Sequence, residues 1–168
     1  PRIRRAMRLF LASYRFGAFA KALAALVGPA RRVAVVSNAL DFIEPAARDA
    51  YARTVYDQLA AFDDLGLTAF DLDLRNYFGG APGLEEDLDG VGLVFATGGN
   101  SFLLRQAMRL SGFDTLIPRL LAEDRLAYGG YSAGAIVAGP TLHGVELMDA
   151  PDETAPGYPA GGPIWEGL

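Results

Sequence analysis

Leu126-Ala127-Tyr128-Gly129-Gly130-Tyr131-Ser132-Ala133-Gly134-Ala135-Ile136-Val137-Ala138-Gly139 carries the pattern Gly-x-Ser-x-Gly at Gly130, Ser132 and Gly134. A short apolar run precedes the pattern, and small residues that suit a helix follow it. That is the context of a nucleophile elbow. There a serine sits on a sharp strand-to-helix turn, its hydroxyl exposed and its backbone near the positive end of the next helix. Glycines flank such a serine because a Cβ would strike the strand, the helix or the substrate. The plainer alternative is a Gly-rich turn that only packs tightly. The strand and helix signals on both sides favour Ser132 as a nucleophile.

Working outward, Val91–Ala96 reads as a buried strand that runs into Thr97-Gly98-Gly99-Asn100. Helices are predicted over Phe102–Leu110, with Asn100 or Ser101 as N-cap, and over about Phe113–Glu123. Arg32–Ser37 is a valine-rich strand buried on both faces, followed by the polar loop Asn38–Asp41. From Pro45 to Leu65 the apolar residues Tyr51, Val55, Leu59 and Phe62 fall at helical spacing, which predicts one long helix stopped by Gly66. Thr68–Leu74 alternates as a half-exposed strand near the sheet edge, and 75–90 reads as a loop with room for one helical turn, its acidic run Glu85-Glu86-Asp87 a solvated face. Arg8–Ser13 gives a first strand and Ala18–Val27 a helix. The order predicts a three-layer α/β/α fold on a mostly parallel sheet, with function gathered at the carboxyl ends of the strands. Asn38, Gly98–Asn100 and Ser132 all fall there.

Beyond Pro140 the pattern changes. Thr141–Met148 suggests a short strand, 149–163 a surface loop, and Ile164–Leu168 turns apolar again. Residues 1–6, with Arg2, Arg4 and Arg5, read as an upstream extension, and 7–168 as a single domain incomplete at its C-terminal end.

Acyl transfer through a serine needs a nucleophile, a base and donors for the developing oxyanion. Ser132 offers the first, and the amide of Ala133 is the usual first donor. Gly98-Gly99-Asn100 is placed to supply a second donor and to touch substrate, since two glycines let the backbone approach it; an anion-binding or merely tight turn is the alternative. The base is harder to find. His143, the only histidine, lies eleven positions after Ser132, beyond a short helix and the Gly139-Pro140 break. It reads as an exposed or edge residue.

Composition narrows the classes. The chain has 168 residues, 51% apolar and 21% charged, as in a folded protein. A net charge of −5 argues against nucleic-acid or anionic-membrane partners. No cysteine and one histidine leave no thiolate or multi-histidine metal site. Arg15 and Lys21 interrupt the early apolar stretch, so no signal peptide or membrane span is expected, and a cytoplasmic setting is.

These residues resemble the peptidase E family of serine peptidases, with cyanophycinase-like members and a class I glutamine amidotransferase-like fold. The resemblance runs from about Met7 to Leu168 and is carried mainly by Gly98-Gly99-Asn100-Ser101-Phe102-Leu103-Leu104 and Gly130-Tyr131-Ser132-Ala133-Gly134-Ala135. Val35–Ala39 and Trp165–Leu168 agree with it. It implies a Ser132 nucleophile, oxyanion amides around Gly99 and Ala133, no metal or organic cofactor, and a small peptide substrate such as an aspartyl dipeptide. A second copy of the chain stays open as a partner. It also implies a catalytic histidine just past Leu168, a position His143 does not match, so this stretch is expected to be nearly inactive alone. Two other functions stay open, a non-catalytic module holding a small anion and an α/β-hydrolase esterase. Against the esterase, only 36 residues follow Ser132.

Overall fold

The computed structural model describes residues 7–168; the extension read over residues 1–6 lies outside the described residues. Five parallel strands form one sheet in the order β1 (Leu9–Ala12), β5 (Ala127–Tyr131), β4 (Leu93–Ala96), β2 (Arg32–Val36), β3 (Thr68–Asp71). Alternate residues of the central strands feed two cores, as the period-two pleat requires. Val33, Val35, Leu93, Phe95 and Ala127 face a layer containing Leu23 and Val27 of α1 (Ala20–Val27) and Phe62 of α3 (Gln58–Asp63). Ala34, Val36, Val94, Ala96 and Tyr128 face the other layer. That layer holds α4 (Leu84–Asp87), α5 (Ser101–Leu110), α6 (Phe113–Ala122) and α7 (Ala133–Ile136). The α/β architecture with a parallel sheet is therefore observed, with helices on both faces.

Two expectations are corrected. The long helix over 45–65 is two helices, α2 (Pro45–Thr54) and α3. Asp57 breaks the run by capping α3, accepting hydrogen bonds from the Leu59 and Ala60 amides at 2.8 and 3.1 Å. Val55, placed by spacing in the core, is 60% exposed, and no residue of α2 is buried. The short strand expected at Thr141–Met148 is a single antiparallel bridge, Thr141 to Glu166, followed by a 3₁₀ turn at Val145–Leu147. Gly144, at φ 97°, turns the backbone away before a ladder forms.

The sheet order places the site. From β2 the chain steps outward to β3, then returns to β4 and moves the other way to β5, so the connections after β2 and β4 diverge above the sheet. Such a reversal opens a crevice at the carboxyl edge. The Asn100 amide spans it, donating to the Ala39 carbonyl at 2.8 Å. Among the described residues, no helix is long and apolar enough to cross a membrane.

Candidate active site

Ser132 lies between the end of β5 and α7 with φ 50° and ψ −118°. A side chain rarely adopts that backbone, and residues held there cost about 1–3 kcal/mol unless the surroundings enforce it. Here they do. The Ala135 and Ile136 amides both bond the Ser132 carbonyl at 2.9 Å, and the Ser132 amide bonds Ala12 of β1 at 3.1 Å. The buried Tyr128 hydroxyl donates to the Gly134 carbonyl at 2.7 Å, tying strand to helix. Gly134 packs directly on β4: a Cβ added there would lie 2.1 Å from the Ala96 carbonyl oxygen. Ser132 itself remains exposed.

The neighbouring loop closes in from β4. A Cβ on Gly98 would approach the Ser132 Cβ to 3.2 Å, so the two loops touch. Gly99 has φ 140°, and a Cβ there would meet the Ala39 carbonyl oxygen at 2.3 Å; only glycine fits. The Gly99 and Ala133 amides donate to no acceptor among the described residues, so two N–H groups are free beside Ser132. Asn100 takes a different place. Its side chain accepts from the Leu103 amide at 3.0 Å and donates to the Ala150 carbonyl at 3.0 Å, capping α5 and holding the 149–150 loop. Asp149 of that loop accepts from the Ser101 amide at 2.8 Å. Ser132, Gly98 and Gly99 line one cleft of about 790 Å³, and Asn100 and Ala133, each next in sequence to a lining residue, are buried at its edge.

No base faces Ser132 from His143. That imidazole is exposed and stacked on Trp165, with ring centres 4.6 Å apart and planes 7° from parallel. It is outside the cleft.

The cleft continues from Ser132 under α2 to the end of β3, through a polar network. Buried Asn38 donates to Asp41 at 2.8 Å and to Asp73 at 3.0 Å, and accepts from the Leu74 amide at 3.0 Å. Asp41 also accepts from Tyr158 at 2.7 Å and pairs with Arg48 at 3.3 Å and Arg75 at 3.5 Å. Arg75 pairs with Asp73 at 2.7 Å. Burial would raise the Asp73 pKa, but hydrogen bonds from Arg75 and Asn38 outweigh it and hold the carboxyl below its ordinary value. Asp71 goes the other way: crowding by the cleft wall, then the nearby Asp73 charge, raises it.

Comparison with known proteins then places the chain. The family model for peptidase family S51 matches residues 19–162. The chain belongs to peptidase family S51. An uncharacterized peptidase of Listeria innocua is 33% identical over 98 residues, which cover 54% of this chain and 42% of that protein. One from Listeria monocytogenes is 33% identical over 90 residues, with the same shares. The matched stretch thus spans less than half the length of these curated relatives. Among solved structures, a candidate peptidase E from Listeria monocytogenes EGD-e superposes with TM-score 0.68 at 27% identity, covering 86% of this chain and 68% of that one. A peptidase from an acI-B1 Actinobacterium gives TM-score 0.62 at 16% identity, covering 79% of this chain and 57% of that one, and supports the fold alone.

Of the charged residues that line this cleft, sequence reading missed Arg48, Asp71, Asp73 and Arg75. A signal existed: Asp71-Leu72-Asp73 ends a strand at the same carboxyl edge that singled out Asn38 and Gly98. Arg48 gave none, because the helical spacing over 45–65 marks only the apolar residues Tyr51, Val55, Leu59 and Phe62.

Proposed function

We propose that this chain carries the nucleophile and oxyanion site of a serine-type peptidase of the peptidase E kind. The observation that carries the reading is Ser132 itself, exposed in a cleft at φ 50° and ψ −118° beside two unengaged amides. The Ser132 Oγ attacks the substrate carbonyl carbon, and the carbonyl oxygen takes the charge between the Gly99 and Ala133 N–H groups. The C–N bond then breaks, the amine leaves with a proton, and water releases the acyl group from Ser132. The substrate we propose, on the strength of the family, is a dipeptide with N-terminal aspartate.

The proton acceptor is not His143, which is turned onto Trp165. Without a base, a triad site keeps only the roughly 10³–10⁴-fold acceleration given by oxyanion donors and binding. These 168 residues are therefore expected to acylate slowly. Incubation with a fluorophosphonate followed by peptide mapping tests the assignment. The expected adduct is on Ser132, with none in Ser132→Ala; labelling elsewhere in the cleft, or none after prolonged exposure, overturns it. A second reading, a non-catalytic carboxylate-binding site, draws support from His143 being stacked on Trp165 outside the cleft. Saturable aspartate binding without any modification of Ser132 supports that reading instead.

A further inference from the structure

The wall next to Ser132 is aromatic, and it holds a cation without a matching anion. Tyr14, Tyr51, Tyr56 and Tyr131 line the cleft together with Ser132. A Cβ on Gly98 would lie 2.9 Å from the Tyr131 ring and 3.2 Å from the Ser132 Cβ, so that ring stands beside the serine. Tyr14 meets Tyr131 edge-on, with ring centres 6.3 Å apart. The Arg15 guanidinium carbon is 4.8 Å from the centre of Tyr14 and 3.8 Å from that of Tyr56, and the group donates to the Tyr51 hydroxyl. The Ser132 amide bonds Ala12 at 3.1 Å, and the three residues from there to Arg15 span about 10 Å at most. A turn shortens the span: Arg15 has φ 47°, and the Gly17 amide donates to the Tyr14 carbonyl at 3.1 Å.

Among the described residues, no carboxylate pairs with Arg15; Asp64 borders a shallow hollow with it but forms no ion pair. Arg48 and Arg75, by contrast, are held by Asp41 and Asp73. Aromatic rings engage the face of a guanidinium and leave the N–H donors along its edge open. Tyr51 takes one of these, and enough remain to grip a carboxylate with two. Tyr14 and Tyr51 are themselves exposed, so their rings offer apolar surface to a ligand.

A cation and exposed rings together suit one part of a dipeptide. The residue that leaves as the amine carries the C-terminal carboxylate within about 3.4 Å, one residue rise, of the scissile bond, and its side chain departs from the same Cα. An aspartyl side chain would satisfy the cation but lay nothing on the rings. We infer that Arg15 binds the C-terminal carboxylate of the leaving residue, while Tyr14 and Tyr51 carry its side chain, which is large and apolar. The inference rests on the dipeptidase reading of Ser132 and adds to it the second residue of the substrate: phenylalanine, tyrosine or leucine rather than alanine or glycine.

Calorimetry with Ser132→Ala protein, which cannot turn substrate over, tests it. Aspartyl-phenylalanine is expected to bind about tenfold tighter than its C-terminal amide, and about tenfold tighter than aspartyl-alanine. Amidation leaves the peptide more positive, which the aspartates of the cleft would favour, so a preference for the free acid singles out Arg15. Arg15→Gln is expected to close the gap between acid and amide. Equal binding of acid and amide, equal binding of aspartyl-phenylalanine and aspartyl-alanine, or no binding of aspartyl-phenylalanine overturns the inference, and those comparisons need no change at Arg15. Alanyl-phenylalanine and fluorophosphonate labelling of the unaltered protein are scored separately. The acid preference persisting in alanyl-phenylalanine at undiminished affinity defeats only the aspartate reading, and the preference without labelling defeats only the nucleophile assignment. A labelled Ser132 without the acid preference defeats only this inference.

Discussion

Ser132 pays for its exposure in backbone strain. At φ 50° and ψ −118°, alanine suffers as serine does, while glycine does not. Glycine also gains freedom in the unfolded chain, which takes back about 0.4–1 kcal/mol of the relief. Ser132→Gly is therefore expected to be more stable than Ser132→Ala by about 1 kcal/mol in urea unfolding. Equal midpoints would mean that the elbow is relaxed. Asp73 gives a second reading at this scale. Its folded pKa is below the ordinary carboxylate value, so its stabilisation is present above that range and is lost as pH falls through it. Asp73→Asn is expected to flatten the acid limb of a stability-against-pH curve. An unchanged limb would show that Arg75 and Asn38 do not favour the charged form. The serine was legible from Gly130 and Gly134 around it. Asn38 was legible only as a polar loop residue, since its three partners come from positions 3, 35 and 36 residues away and no local pattern joins them.

At the scale of elements, the elbow stands because α7 packs against β4 with no room for a side chain. Gly134→Ala would press a methyl into the Ala96 carbonyl, and overpacking of this kind costs about 1–3 kcal/mol or more. The expected result is a lower thermal midpoint together with slower Ser132 labelling, because the helix must shift. A midpoint within a degree of the parent would show that the contact yields easily. The strands and α5 could be read from sequence because their burial is local: Val33–Val36 are all buried, and Asn100 caps its own helix. The stretch over 45–65 misled for the opposite reason. Tyr51 and Val55 repeat at helical spacing yet are 49% and 60% exposed, so periodicity marked a helix without marking a core. The Asp57 cap that divides the run competes locally with an apolar pattern that continues through it.

Across the molecule, the order β1-β5-β4-β2-β3 sets the strand that leads to Ser132 beside an edge strand. β1 leaves Leu9 and Leu11 46% and 49% exposed, and an open apolar edge favours association. Light scattering is expected to show concentration-dependent self-association that Leu11→Lys reduces; an equal particle size at all concentrations would remove that expectation. The order itself was not legible, because a sequence of alternating strands and helices fits several sheet arrangements. The opposite side of the molecule has another property. α2 buries none of its residues, and its side-chain ties to the rest of the molecule include Arg48 to Asp41 and Tyr51 to Arg15. Its backbone hydrogen bonds therefore open without disturbing either core, and its amides should exchange with deuterium long before those of β4. The roof of the cleft then melts and re-forms on its own clock, independently of the two cores that hold the strands below it.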